Sequence, residues 1–235
     1  QTAREAHQML LRSLRKPIDG VVSRTLNRPV SLFMSSFWVR TPLTPNMLTT
    51  ITFLIALAAA VLAIQSEFVW ATLVMQFASI LDGCDGEVAR LKYQSSKLGG
   101  WLDNVFDDLS NMAFILGMGI GLYRDPGVAA PWNQVWLWAG IISVLAMLVS
   151  FYFVYSKLLR RGIADPGNLK WGQTSDASAF RRFLGRYLEP LVKRDFYYLF
   201  FLVLALCQIP WMVMVFSFLG AVLAAVTIAG EETRA

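Results

Sequence analysis

Histidine and cysteine are scarce in this sequence, and their scarcity excludes several kinds of catalytic site. His7 is the single histidine among 235 residues. It lies in a polar helical pattern near the N-terminus, so we expect a solvated side chain and no histidine-based catalysis. Cys84 and Cys207 stand alone in separate apolar segments, with no CxxC pair and no His/Cys metal-ligand spacing. A disulfide framework is therefore not expected.

Charged residues are also few for a chain of this length. They make up 16% of the sequence against 56% for hydrophobic residues, and the mean hydropathy is +0.50. Such a chain is too apolar for an ordinary soluble domain. The net charge of +5 could indicate nucleic acid, but the bases adjoin apolar helices and no recognition motif is present. A charged membrane face is the better interpretation, without a nucleic-acid partner and without a cleavable signal peptide.

The apolar runs predict an all-α, polytopic membrane protein with six transmembrane helices in a lipid bilayer. The predicted spans are 47–64, 68–91, 98–123, about 135–155, about 190–207 and 211–229. Thr44-Pro45-Asn46 precedes the first span and offers a helix cap. A long basic loop is expected from Ser156 to about Glu189, between the fourth and fifth spans.

The first 40 residues are expected to form a separate cytoplasmic or interfacial segment. Within it, residues 18–40 mix apolar side chains with Arg24, Arg28 and Arg40, which predicts an N-terminal interfacial amphipathic helix. The domains are thus 1–40 and a six-helix catalytic domain over 41–235. Twenty of the 21 Lys and Arg residues fall on one predicted side and only Arg124 on the other. This bias predicts termini and an acidic site that face the cytoplasm.

Four aspartates interrupt the apolar pattern between the second and third spans. They are Asp82, Asp85, Asp103 and Asp107. Ionisable groups at membrane depth are rare and usually functional. The first pair is spaced i, i+3 on one helix and the second i, i+4 on the next, and a turn near Gln94 would bring both pairs to the same depth. The sequence therefore predicts one converging acidic site.

Converging carboxylates indicate hard divalent cations, because four anions cannot all remain ionised without compensation. Mg²⁺ or Mn²⁺ suits oxygen ligands, and two ions beside a phosphate would favour displacement at phosphorus, with one carboxylate free to act as a base. Small residues on the same faces leave room for a ligand, and Arg90 and Lys92 could complement phosphate at the mouth. A structural ion-pair cluster or the pathway of a divalent-cation or proton-coupled transporter would use the same acids.

The acidic pattern resembles the signature of the CDP-alcohol phosphotransferase (CDP-alcohol phosphatidyltransferase) family. It matches at all eight fixed positions: Asp82-x2-Asp85-Gly86-x2-Ala89-Arg90, eight residues, then Gly99-x3-Asp103-x3-Asp107. The resemblance implies metal-dependent transfer of a phosphoalcohol from a CDP-alcohol to an acceptor hydroxyl, with release of CMP, in phospholipid or inositol-phosphodiester synthesis. It implies that the four aspartates bind the metals, that Asp107 is the base, and that the protein is a homodimer. It also implies that Gly86, Ala89, Arg90 and Gly99 line the CDP site.

A weaker resemblance concerns the segment from Lys16 to Arg24, with Asn27-Arg28. It is similar to the junction in fused proteins that carry a cytidylyltransferase domain ahead of the phosphotransferase, such as those making di-myo-inositol phosphate phosphate. Such a domain would supply the CDP-alcohol. Asp108 stands where those inositol enzymes are expected to have Arg, which leaves the acceptor open.

The remaining candidates each have a functional and a structural interpretation. Asn46 would either face the ligand or only cap the first span. An anionic acceptor would be bound by basic residues of spans four and five, which could instead snorkel at helix ends. These are Arg160, Arg161, Lys193 and Arg194. Asp108 is expected to make a helix–helix hydrogen bond or to be solvated, and Glu87 to point away from the metals.

Overall fold

A computed structural model describes residues 22–127, 131–161 and 194–232, and these are almost entirely helical. Within these ranges a π-helical turn, Ser23–Asn27, leads into seven α-helices. They are α1 Arg28–Trp38, α2 Pro45–Ile64, α3 Phe68–Leu91, α4 Lys97–Arg124, α5 Trp132–Arg161, α6 Arg194–Leu206 and α7 Trp211–Glu232. The all-α prediction is confirmed for the described part of the chain. The predictions for residues 1–21 and 162–193 lie outside it.

Four of these helices are long and apolar enough to cross a membrane, so the chain is an integral membrane protein. They are Pro45–Ile64, Lys97–Arg124, Trp132–Arg160 and Trp211–Ile228. α3 coincides with the second predicted span, but charged residues interrupt its apolar sequence. The apolar part of α6, Phe196–Leu206, is too short to count as a span. Six membrane-spanning helices therefore stay a prediction.

Local caps set where the helices on either side of the acidic region begin. The hydroxyl of Thr44 accepts a hydrogen bond from the backbone N–H of Met47 at 3.3 Å, and Pro45 occupies the first turn of α2. Thr44 is thus the N-cap residue, and Asn46 lies inside the helix. Ser96 caps α4 in the same way, accepting from the N–H of Gly99 at 3.0 Å.

α5 extends beyond the apolar run that predicted it. The helix continues through Ser156 to Arg161, so the expectation that a loop begins at Ser156 is wrong. Hydropathy marks the part of a helix suited to hydrocarbon, but a helix can continue into water wherever its backbone hydrogen bonds persist.

Small residues allow α2 and α4 to approach closely. A Cβ atom added to Gly117 would lie 2.6 Å from the carbonyl oxygen of Ala60, and one added to Gly121 would lie closer still to that of Ala63. Glycine and alanine at such positions let helix backbones pack tightly within a membrane. Further along, Phe53 of α2 stacks on Phe106 of α4, with ring centroids 4.3 Å apart. This packing places α2 against the helix that carries the second aspartate pair.

Candidate metal centre

Three of the predicted aspartates come together between α3 and α4. Asp82, Asp85 and Asp103 each offer a carboxylate oxygen, and the three oxygens lie within 4.8 Å of one another. Asp85 is buried and the other two are half-buried. Asp107 lies outside this group of three but close enough to interact electrostatically with Asp85. The predicted convergence of acids from the two helices is therefore observed for Asp82, Asp85 and Asp103.

The acids span a gap between their helices. α2 packs against both α3 and α4, whereas α3 and α4 make few close backbone contacts with each other. The carboxylates of α3 and α4 approach one another across the space between the two helices, and α2 forms one wall of that space. This space is called the cleft below.

Thr49 of α2 supports the buried acid, and the sequence analysis did not identify it. Its hydroxyl donates to Asp85 Oδ2 at 2.5 Å and also lies 3.1 Å from the carbonyl oxygen of Pro45. The other oxygen of Asp85 accepts from the backbone N–H of Gly86. The available signal was spacing, because Thr49 follows the candidate Asn46 by three residues and so shares its helix face.

Asn46 and Gly99 lie together at the beginning of α2 and α4. A Cβ atom added to Gly99 would be 3.1 Å from Asn46 Oδ1 and 3.1 Å from Ser96 Oγ. Asn46 is exposed and Gly99 half-buried. A larger side chain at position 99 would press on Asn46. Glycine therefore keeps this end of the cleft open.

The other candidate nucleotide residues follow Asp85 on α3. Gly86, Ala89 and Arg90 are all half-buried. Arg90 extends back along the helix, where its Nη2 atom would lie 4.0 Å from a Cβ added at Gly86. The Arg90 guanidinium thus lies beside Gly86, the residue that follows Asp85.

Lys92, which was expected to complement phosphate at the mouth of the site, contacts the link between α1 and α2. The phosphate role stays a prediction. Lys92 Nζ donates to the carbonyl oxygens of Thr41 and Leu43, at 2.6 and 2.7 Å. These carbonyls belong to the link between α1 and α2, where they need donors of their own. Lys92 therefore secures this link to the end of α3.

The basic residues expected at an acceptor site lie at or beyond the edges of the described part of the chain. Arg160 is exposed near the end of α5. Arg161 is the last residue of α5 and Arg194 the first of α6, and Lys193 lies outside the described residues. An acceptor site at these residues stays a prediction.

Asp108 faces α5, away from the other acids. Tyr155 donates its hydroxyl to Asp108 Oδ2 at 3.2 Å. The tyrosine ring is buried and stacks on Phe151, with centroids 3.9 Å apart, and it also meets Trp101 at 5.3 Å. The expected helix–helix hydrogen bond of Asp108 is confirmed.

Glu87 also points away from the acidic group, as predicted. It is fully buried and forms an ion pair with Arg28 of α1, with 2.6 Å between Arg28 Nη1 and Glu87 Oε1. α1 is therefore bound to the helix that carries Asp82 and Asp85. Sequence reasoning missed this pairing because nothing in a pattern selects one partner among several arginines.

The acidic group fits a divalent cation. Three carboxylates this close repel one another strongly when ionised, and a divalent ion would relieve the repulsion. Carboxylate oxygens are the ligands preferred by Mg²⁺, Ca²⁺ and Mn²⁺. The cluster has no histidine or thiolate ligand, which would be expected for softer metals.

Comparison with known proteins identifies one family and several relatives. Residues 42–223 match the family model of CDP-alcohol phosphatidyltransferases. A bifunctional IPC transferase and DIPP synthase of Thermococcus kodakarensis is 33% identical over 150 residues, covering 63% of this chain and 32% of that protein. The archaetidylinositol phosphate synthase of Pyrococcus horikoshii is 37% identical over 131 residues, covering 55% of this chain and 61% of that protein.

The chain spans a third or less of the length of its bifunctional relatives. A second one, from Aquifex aeolicus, is 42% identical over 104 residues, which cover 44% of this chain and 24% of that protein. Among solved structures, phosphatidylinositol phosphate synthase of Mycobacterium tuberculosis with CDP-DAG bound aligns with a TM-score of 0.61 at 18% identity. That alignment covers 86% of this chain and 91% of the other. The likeness shows a shared fold.

Proposed function

The chain belongs to the CDP-alcohol phosphatidyltransferase family, and we propose that it transfers a phosphoalcohol from a CDP-alcohol to an acceptor hydroxyl, releasing CMP. The observation that carries the proposal is the meeting of Asp82, Asp85 and Asp103 across a cleft whose ends are lined by glycine. These residues lie within the segment that matches the family. The reaction needs a site for a metal and a diphosphate, and the cleft offers ligands for both.

The proposed cofactor is Mg²⁺, in two ions, with Mn²⁺ as a substitute. Asp82, Asp85, Asp103 and Asp107 would hold them. When bound, the ions would polarise the phosphoryl group and neutralise the charge that develops on the leaving group. The hydrogen bond from Thr49 would keep Asp85 turned toward the cleft.

The residues around the acids would bind the nucleotide. Gly86, Ala89 and Gly99 leave room beside the backbone for CDP, and Arg90 would pair with the diphosphate. Asn46, beside Gly99, would offer an amide to the same ligand. The roles of Gly86, Ala89, Arg90 and Gly99 follow from the family resemblance, and their positions near the acids support them.

Asp107 would act as the general base. In the proposed step the acceptor oxygen bonds to the phosphorus that carries the donor alcohol, the diphosphate P–O bond breaks, and CMP leaves. The hydroxyl proton passes to Asp107. Its position outside the group of three close carboxylates leaves it less committed to a metal than its neighbours.

The relatives suggest the substrate class. Their names place them in the synthesis of inositol-phosphate compounds and phospholipids, and we propose a CDP-alcohol donor with an anionic, inositol-phosphate-like acceptor. Arg160, Arg161, Lys193 and Arg194 would provide the positive charge for such an acceptor. Asp108, which accepts a hydrogen bond from Tyr155 of α5, stands where the inositol enzymes are expected to have Arg.

The setting of this chemistry is proposed from the charge pattern and the family. Six helices would cross the bilayer, with the site and both termini facing the cytoplasm. The protein would be a homodimer. Four apolar helices support this setting. In two of them, Trp132–Arg160 and Trp211–Ile228, only 11% and 17% of the most apolar stretch is buried within the protein, which leaves the rest for lipid.

Purified protein incubated with a panel of CDP-alcohols and acceptors tests the function. We expect CMP release that needs a divalent cation, a CDP-alcohol and an acceptor together. The matched comparison is Asp107→Asn, which should still bind Mn²⁺ but release no CMP. Cation flux in liposomes without any CDP-alcohol, combined with no CMP from the whole panel, would instead support a transporter.

A further inference from the structure

Glu87 is a fully buried acid that the proposed reaction does not use. It is 0% exposed and lies in α3, two residues after Asp85. At about 100° of rotation per helical residue, it falls on a different face from Asp82 and Gly86. A buried carboxylate is costly unless it is paired and hydrogen-bonded, so its partners indicate what it does.

Within the described residues, three side chains donate hydrogen bonds to Glu87, and all three lie on one face of α1. Arg28 Nη1 and Ser31 Oγ donate to Oε1 at 2.6 and 2.8 Å, and Ser35 Oγ donates to Oε2 at 2.7 Å. The three donors are themselves buried, at 8%, 1% and 0% exposure. They are spaced i, i+3 and i+7, so only one rotation and one axial position of α1 present them together. These four residues are called the α1–α3 clamp below.

The clamp holds α3 from the side opposite the cleft. On the cleft side, Thr49 of α2 donates to Asp85, and at the end of α3 Lys92 binds the link between α1 and α2. α3 and α4 make few close backbone contacts. The distance between their acids is therefore set by the helices that hold α3, namely α2, α1 and α6.

We infer that Glu87 is a positioning residue for the metal site. Its hydrogen bonds to α1 fix the rotation of α3 about its axis, and this rotation sets the separation of Asp85 from Asp103 across the cleft. The inference rests on the proposed function, because it takes these acids as metal ligands. It assigns the amphipathic helix a role in the geometry of the site, although no residue of α1 belongs to the acidic group.

The test is Mn²⁺ binding by the full chain in detergent, measured by electron paramagnetic resonance of the free ion. In Glu87→Gln the amide leaves the Arg28 charge uncompensated and turns an NH₂ toward its donors, so α3 should lose its fixed rotation. We expect the Kd for Mn²⁺ to rise about tenfold, as found when groups that orient metal ligands are altered. Ser35→Ala removes one neutral donor and keeps the ion pair, and it should give a smaller rise in the same direction.

Gln76→Leu is the matched control in the same interface. Gln76 Nε2 donates to Asn27 Oδ1 at 3.1 Å, roughly 16 Å along α3 from Glu87 by helical rise. Its loss should lower the melting temperature of the metal-free protein without changing the Kd for Mn²⁺. This separates a positioning role from stability alone.

Wild-type affinity in both Glu87→Gln and Ser35→Ala would overturn the inference. So would an equal loss of affinity in Gln76→Leu, since the effect would then be a general loosening of the interface. A wild-type protein that binds Mn²⁺ but releases no CMP would refute the proposed function, and the binding comparison would still decide the role of Glu87.

Discussion

Replacing Thr49 by valine removes one hydroxyl from the wall of the cleft while keeping the shape of the side chain. That hydroxyl is the donor that α2 provides to the buried Asp85. A hydrogen bond to a charged group contributes about 1.5–3 kcal/mol, and the lower end applies here because Asp85 keeps its contact with the Gly86 N–H. A loss of about 1.5 kcal/mol corresponds to a roughly tenfold weaker Kd for Mn²⁺.

Thr50 provides the matched control for this substitution. Its hydroxyl also donates to a backbone carbonyl four residues earlier, at 2.9 Å from Asn46 O. Thr50 is exposed, however, and among the residues that the structure describes it makes no hydrogen bond to an acid. Thr50→Val should therefore bind Mn²⁺ like the wild type. Titration of Mn²⁺ into the two variants, with circular dichroism to confirm that both are folded, makes the comparison. Equal affinity in Thr49→Val and Thr50→Val would refute the view that Thr49 orients a metal ligand.

Three further predictions concern the reaction, the nucleotide and the packing. Asp107→Asn should abolish CMP release with Mn²⁺ binding largely kept, and CMP release near the wild-type rate would exclude Asp107 as the base. Gly99→Ala should raise the KM for the CDP-alcohol, since its Cβ would press on the neighbouring amide, whereas Gly100→Ala, which meets nothing within 4 Å, should not. Equal KM values would remove this end of the cleft from the nucleotide site. Gly121→Ala should lower the free energy of unfolding by about 1–3 kcal/mol through overpacking, and Gly220→Ala, in open space, should leave it unchanged or raise it slightly. Equal melting temperatures would contradict the close approach of α2 and α4.

Periodicity and capping in the sequence predicted the helices and the meeting of the acids. Both depend on local information: an apolar run specifies a helix wherever it lies, and Thr44-Pro45 marks a beginning that the structure confirms. The spacing of Asp82 and Asp85 on one helix face follows from helical geometry alone. A tight turn before α4 then brings Asp103 to them.

The partners of individual side chains could not be predicted in the same way. Arg28 and Glu87 are separated by 59 positions, and their pairing depends on how α1 docks on α3. Lys92 was expected to complement a bound phosphate, and the structure shows that it also donates to carbonyls of the neighbouring link. Thr49 was one of several threonines in an apolar run. Tertiary packing, which brings distant segments together, selected each of these contacts.

The nature of the reaction product tests the central proposal most directly. The wild-type protein would be incubated with Mg²⁺, a CDP-alcohol and an acceptor in which the acceptor hydroxyl oxygen is isotopically labelled, and the products would be weighed by mass spectrometry. We expect equal amounts of CMP and of a phosphodiester that joins both alcohols and retains the labelled oxygen. CMP accompanied only by the free phosphoalcohol, or a phosphodiester without the label, would contradict transfer to the acceptor hydroxyl.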